Sequence, residues 1–274
     1  MIRYRSIYKA FDTPVLRGVD LTVETGEQFA LFGPSGTGKS VLLKTTLGLI
    51  IPDRGDVEID GMSVFHSSAE ALDVVRKKAG YVFQYAALFD SLNVHENVVM
   101  GLPEIELARM SKRDVARKVW DALELVNLEP REVLAKIPAE LSGGMKKRVG
   151  IARALMQAPD LLLVDEPTAS LDPKTSLQIM RLLVELVNEQ GTPALVNIHD
   201  VALAQSFSDK IIGLKEGAIV FEGTAKEITE DVLTEIYGEE DWSLTVRKAD
   251  EEDEDDRVRK KKRDNGYIHE AVTG

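Results

Sequence analysis

Gln28-Phe29-Ala30-Leu31-Phe32-Gly33-Pro34-Ser35-Gly36-Thr37-Gly38-Lys39-Ser40-Val41-Leu42-Leu43 is the stretch that decides the fold. Residues 28–32 form a short apolar strand that runs straight into a glycine loop. From Lys39 to Ile50 the chain reads as a helix, with Leu42, Leu43, Leu47 and Ile50 on one face. Pro52-Asp53-Arg54-Gly55 is expected to stop it. Residues 33–40 fit G-x-x-x-x-G-K-[ST] at every position, after a strand and before a helix as that pattern requires. The glycines let backbone N–H groups turn inward around phosphates, and the helix start adds a positive dipole end. Lys39 is expected to pair with the β- and γ-phosphates of a nucleotide, and the Ser40 hydroxyl to ligate Mg²⁺. The loop alone leaves small-molecule kinases, GTPases, motors and transport ATPases open.

Working outward, strand and helix textures alternate. Residues 15–23 alternate apolar and polar side chains, and Glu24-Thr25-Gly26-Glu27 supplies a turn, so residues 1 to about 32 read as short strands. Residues 57–61 read as a strand and turn, and 80–83 as another strand. From about 95 to 140 the strand signal disappears; Val115, Val119, Leu123 and Val126 recur at helical spacing, which predicts a helical insertion. Strands return at 161–164 and 194–198, with helices near 174–189 and 201–208 and a strand pair around Glu216-Gly217. Near-continuous apolar strands alternating with helices predict a buried, largely parallel α/β sheet.

The chain has 274 residues, of which 44% are hydrophobic and 29% charged, enough for a sizeable core without covalent staples. With no cysteine, disulfides, thiolate metal sites and thiol nucleophiles are excluded, and four scattered histidines do not suggest a metal site. No apolar run reaches the length of a membrane span, and no apolar segment follows the charged start as in a signal peptide. A formal charge of −12 disfavours nucleic acid as a partner. Seven acids at 250–256 and six bases within 257–263 read as a solvated, disordered tail; a docking segment or membrane-surface anchor ranks below that.

Two further motifs narrow the loop's meaning. Leu161-Leu162-Leu163-Val164-Asp165-Glu166 is an apolar strand ending in two acids. Asp165 can hold Mg²⁺ through water, and Glu166 can polarise an attacking water as a general base. Leu141-Ser142-Gly143-Gly144-Met145 precedes a helical run, 146–153, and forms a second phosphate-binding helix start. A single nucleotide does not need both from one molecule. A head-to-tail dimer, each ATP lying between one loop and the partner's Ser-Gly-Gly, is the natural solution.

With these motifs in this order, the chain closely resembles the ATP-binding subunit of an ABC transporter, from Ile2 to about Gly238. The resemblance implies an α/β, P-loop NTPase fold of the ABC type, with an N-terminal antiparallel β subdomain and the helical insertion. It divides the chain into an ATPase domain, 1–238, and a charged tail, 239–274. Nucleotide binding is implied for Gly33, Pro34, Ser35, Gly36, Thr37, Gly38, Lys39, Ser40 and Val41, and for Ser142, Gly143 and Gly144 of the signature. Phe11 matches the aromatic that stacks on adenine, the alternative being an ordinary core aromatic. Gln84 matches the Q-loop glutamine that contacts Mg²⁺ or water and senses the membrane partner. His199 matches the H-loop histidine near the γ-phosphate, and Asp172 the D-loop aspartate that crosses the dimer interface. Catalysis is thus expected from Glu166, His199, Gln84 and Lys39, and metal binding from Ser40, Gln84 and Asp165. The implied ligands are ATP and Mg²⁺. The implied partners are a second copy of the ATPase, integral permease subunits and a lipid- or solute-binding protein, at the cytoplasmic face of the cell membrane.

Finer resemblances divide. Met145 stands where the signature usually has glutamine. Ser-Gly-Gly-Met followed by Lys146-Lys147-Arg148-Val149 resembles the ATPases of Mla/Mce-type phospholipid transporters, as do residues 38–44 and the permease-facing stretch 83–94. Residues 169–176, 211–214 and 228–238 are similar instead to phosphonate importer ATPases. Weighting the permease-facing stretch favours a phospholipid cargo, with phosphonate or phosphate-ester import as the alternative. A soluble ABC ATPase acting on ribosomes or DNA, and a nucleotide-binding regulatory subunit, are the rivals from other classes.

Overall fold

The computed structural model describes residues 1–239 and Trp242, so the charged runs at 250–263 lie outside the described residues. Two sheets organise the chain. Strands β1 (Ile2–Ala10), β2 (Pro14–Val23), β4 (Arg54–Ile59) and β5 (Met62–Ser63) form an antiparallel sheet in the order β2-β1-β4-β5. The second sheet is six-stranded, with β3 (Gln28–Phe32), β6 (Ala79–Val82), β7 (Leu161–Asp165), β8 (Ala194–Asn197), β9 (Lys210–Lys215) and β10 (Ala218–Thr224) in the order β10-β9-β3-β8-β7-β6. All its pairings are parallel except the β9–β10 hairpin.

The apolar runs of the second sheet follow from burial on both faces. Ala30, Phe32, Leu162, Val164 and Val196 enter one core, which the helices cover. Phe29, Leu31, Leu161, Leu163 and Leu195 alternate into the other, which the antiparallel sheet covers. The N-terminal strands, expected to be short, are nine and ten residues long because β1 is paired on both sides.

The predicted helical insertion is present. It comprises α3 (Val94–Val99), α4 (Glu104–Leu107), α5 (Lys112–Leu125), α6 (Pro130–Val133) and a 3-10 turn, Pro138–Glu140. Asn93 and Glu96 make a reciprocal capping box on α3, and Ser111 caps α5. Helix α7 (Gly143–Leu155) leads from the insertion back to β7. Helices α8 (Pro173–Gln190) and α9 (Val201–Phe207) flank β8 in sequence, and α10 (Glu230–Tyr237) closes the described chain. No described helix is long and apolar enough to cross a membrane.

One boundary differs from expectation. Helix α1 (Lys39–Thr46) ends four residues before Ile50. Gly48 turns the chain there at φ 63°, and its N–H bonds to Thr45 O at 3.0 Å. Leu47 remains buried without being helical, which is why the apolar periodicity ran on past the helix. Arg54 and Gly55, read as the stop, already belong to β4. Helices α2 (Ala69–Lys77) and α10 had no counterpart among the sequence expectations.

Candidate functional site

Neighbouring strands deliver the site from one edge. Residues 33–40 leave the C-terminal end of β3, Asn197 ends β8, Asp165 ends β7, and Gln84 follows β6. Parallel pairing puts these ends level: Asn197 is in register with both Leu31 and Asp165, and Val82 with Val164. The carboxyl edge of an open α/β sheet is where ligands of such folds bind.

The loop needs its glycines. Gly33 sits at φ 143°, and a β-carbon there would fall 2.1 Å from Leu214 O. Gly38 caps α1 at φ 101°, and a β-carbon would fall 2.7 Å from Leu16 Cδ2. Lys39 is only 4% exposed, and its Nζ donates to Gly33 O at 2.6 Å and Pro34 O at 2.9 Å. Burial pushes its pKa down to about 8, against the pull of Glu166 and Asp165. A buried ammonium whose described hydrogen bonds go to loop carbonyls, with the Glu166 and Asp165 charges acting on it but not hydrogen-bonded to it, fits an anionic ligand that would pair with it directly.

Ser40 Oγ donates to Asp165 Oδ1 at 2.8 Å. Asn197 Nδ2 donates to the same oxygen at 2.8 Å, and Tyr81 Oη donates to Oδ2 at 3.1 Å. Burial, reinforced by the Asp165 charge, raises the Tyr81 pKa far above its ordinary value and keeps it a donor. Ser40 Oγ and the Asp165 carboxylate make a pair of hard oxygen donors, chemistry that fits Mg²⁺, while the Gln84 amide is held on Glu166.

Glu166 is the most constrained residue of the site. Its backbone lies in the left-handed region at φ 46°. Its N–H donates to Asn197 O at 3.0 Å. Gln84 Nε2 donates to its Oε2 at 2.5 Å, and His199 Nε2 lies 2.9 Å from its Oε1. A carboxylate fixed between an amide and an imidazole can accept a proton from a water and hand it on.

The remaining expected residues fall into two groups. Ser142, Gly143 and Asp172 are exposed. Ser142 Oγ caps α7 by accepting from Met145 N at 3.3 Å, and Asp172 caps α8 by accepting from Thr175 N at 3.0 Å. The two caps are adjacent: a β-carbon on Gly143 would touch Leu171, and one on Gly144 would touch Thr175. Among the described residues, no hydrogen bond joins this corner to residues 33–40. Phe11 lies in the β1–β2 turn, 59% exposed, with Lys9 Nζ 5.3 Å from its ring centre. It is therefore free to stack and is not a core aromatic.

Four contributors were not anticipated: Tyr81, Asn197, Lys147 and Tyr237. Lys147 is 4% exposed and donates to the Gln84 carbonyl and to Glu166 O. Tyr237 on α10 accepts from Gly33 N at 3.2 Å. Asn197, a polar residue closing an apolar strand two residues before His199, is the one sequence signal available for any of them.

A glycine loop with a buried lysine, and an acid pair on the next strand but one, define a phosphate-loop nucleotide-binding domain. Comparison with known proteins narrows the class. The sequence model of the family "ABC transporter" matches residues 16–169. A "Phosphonates import ATP-binding protein PhnC" of Alcaligenes faecalis is 45% identical over 251 residues, covering 89% of this chain and 90% of the relative. A PhnC of Rhodopseudomonas palustris strain BisB18 is 46% identical, covering 90% and 92%. Among solved structures, the dimeric post-hydrolysis state of the cassette MJ0796 bound to ADP and Pi superposes with a TM-score of 0.75 at 35% identity, covering 83% of this chain and all of that one. The cbiO1 subunit of Clostridium perfringens, part of a cbiONQ transporter complex, gives 0.73 at 29% identity, covering 85% and 92%.

The chain belongs to the ABC transporter ATP-binding family. It has the ATPase cassette fold, binds ATP and is an ATPase. The phospholipid reading finds no support among these relatives. It rested on short segments, whereas the likeness to phosphonate import proteins runs through nine-tenths of the chain.

Proposed function

We propose that this chain is the ATP-hydrolysing subunit of an importer for phosphonates or related phosphate esters. The observation that carries the reading is 45% identity to a phosphonate import protein along nearly the whole length of both chains. Residues 1–238 are the ATPase domain, with the helical subdomain at about 95–140, and 239–274 are an appended tail. Two copies close on two ATP molecules, and separate permease subunits receive the motion at the cytoplasmic face of the membrane, while a solute-binding protein delivers the cargo to the permease from the opposite face.

Residues 33–41 cradle the phosphates, with Lys39 on the β- and γ-oxygens, and Phe11 stacks on the base. Ser40, Asp165 and Gln84 would hold Mg²⁺, which when bound neutralises charge on those oxygens. Glu166 accepts a proton from the attacking water as its oxygen bonds to the γ-phosphorus and the β–γ bridging oxygen leaves with ADP. His199 holds the carboxylate and faces the γ-phosphate. Ser142, Gly143 and Gly144 of the second copy close over the same phosphates, and Asp172 crosses the interface. The exposed corner at Ser142, Gly143 and Asp172 supports this arrangement, because the first N–H groups of a helix have no partner within it and this helix start is open to a second chain.

A phospholipid cargo is the second reading. It rests on the short segment 83–94, whose sequence resembles the Mla/Mce group; the exposed Tyr85 (72%) and Phe89 (49%) there suit contact with a permease of either cargo.

The test is purification of the tagged chain from its native membranes in mild detergent, with mass spectrometry of what accompanies it. A permease with a phosphonate- or phosphate-ester-binding protein supports the first reading. A permease with an MCE-domain protein and bound phospholipid replaces it with the second. Ribosomes, or no membrane protein, would overturn transport altogether.

A further inference from the structure

One face of α7 holds two loops in conformations that they would not adopt alone. Glu166 (φ 46°), Ala86 (φ 60°) and Ala87 (φ 46°) are all non-glycine residues in the left-handed region. Each such residue costs on the order of 1–2 kcal/mol and persists only where its surroundings over-determine it. Lys147, Gly150 and Arg153 recur every three residues along α7 and meet all three. Lys147 Nζ donates to the Gln84 carbonyl and, at 3.1 Å, to Glu166 O. Gly150 lets Ala86 approach so closely that a β-carbon would lie 3.0 Å from Ala86 Cβ. Arg153 donates to Ala86 O at 2.5 Å and Ala87 O at 2.7 Å.

Lys147 is the member that joins the two loops. It grips the backbones of the two residues whose side chains meet, Gln84 Nε2 on Glu166 Oε2. We infer that Lys147 is a positioning residue for hydrolysis: its buried ammonium locks the left-handed Glu166 backbone to the Gln84 backbone and so aims the Glu166 carboxylate. Burying a cation on two neutral carbonyls is unfavourable in itself. Burial drives the Lys147 pKa down to about 8, against the pull of Glu166 and Asp165. A residue kept only for packing would be better served by an apolar side chain.

The inference rests on Glu166 being the general base, so Glu166→Gln is assayed beside the lysine variants. The full chain is measured for melting temperature, affinity for a fluorescent ATP analogue, and steady-state hydrolysis. Lys147→Met keeps the stem and removes the donors. Its kcat is expected to fall about tenfold to a hundredfold, with the KM for ATP within about threefold and no loss of melting temperature. Lys147→Gln, whose amide can donate to both carbonyls, is expected to recover most of kcat. Full turnover in Lys147→Met, with turnover lost in Glu166→Gln, overturns the positioning role alone. Full turnover in both overturns the base assignment as well. A joint fall of kcat, nucleotide affinity and melting temperature that Lys147→Gln fails to rescue means a structural lysine and also overturns the proposal.

Discussion

The chain carries the same device twice, in opposite settings. Residues 33–38 lead into the N-terminus of α1, and residues 141–142 lead into that of α7. Both are loop-to-helix junctions with backbone donors pointing outward from a helix start. At the first, Gly33, Gly38 and Lys39 are buried, and the acids that face them come from the same sheet. At the second, Ser142 and Gly143 are exposed, and their neighbours are Leu171 and Thr175 beside the Asp172 cap. One junction has its charged partners within the chain; the other is exposed, which is the setting the proposed two-chain site requires. A similar loop-to-helix junction thus takes a different setting from its surroundings: a buried lysine and facing acids at one, an exposed serine cap at the other.

The largest effect expected is at the buried junction. Lys39→Ala should lower hydrolysis about 10³-fold or more and weaken ATP binding, read by phosphate release and nucleotide titration. Next, Glu166→Gln should lower kcat about 10²- to 10³-fold while ATP still binds, separating the cradle from the base in a single-turnover assay. At the exposed junction, Ser142→Asp keeps a good helix cap but sets a negative charge against the partner's phosphates. It should cost about tenfold to a hundredfold in kcat, yet leave ATP affinity of the isolated subunit unchanged. Equal losses in both quantities would erase the distinction between the junctions.

A smaller effect follows from pH. Free Lys39 has its pKa lowered from 10.5 to about 8. Neighbouring phosphates favour the charged form, so the nucleotide-bound state holds more protons above pH 8. ATP affinity should therefore be flat below about pH 8 and fall about fivefold or more by about pH 9, with proton uptake visible by calorimetry in buffers of different ionisation enthalpy. Fold stability should move the other way. The folded pKa is depressed, so the unfolded chain binds more protons between about 8 and 10.5, and the contribution of Lys39 to stability rises across that window. The smallest effect is Tyr237→Phe, which removes the acceptor for Gly33 N–H. About 1 kcal/mol, or a melting shift of a few degrees, is expected.

Local chemistry was legible wherever it is contiguous. The strand–loop–helix at 28–46, the acids closing β7 and the cap before α7 could each be read in place, because pattern and partners lie within a few residues. The α10 start is equally local: Thr229 precedes Glu230 and Asp231, and Leu233 and Ile236 are buried at helical spacing. What could not be read is what sheet order creates. Tyr81 meets Asp165 across 84 residues, Asn197 meets it across 32, and Tyr237 meets Gly33 across 204. Lys147 shows the limit most clearly. In the sequence it is one of three successive bases after Met145 in a helical run, with nothing to set it apart from its neighbours; in the fold it is 4% exposed, on two backbone carbonyls. Cargo identity failed for another reason. Short similar segments pull toward two transporter groups, and the likeness along the whole chain favours the phosphonate group.

The most direct test of the proposed two-chain site is the mass of Glu166→Gln in solution, by light scattering, with and without ATP and Mg²⁺. The account predicts one chain without nucleotide, two with it, and one again when Ser142→Asp is added although ATP remains bound. A nucleotide-loaded single chain in Glu166→Gln, or a dimer that survives Ser142→Asp, would contradict it.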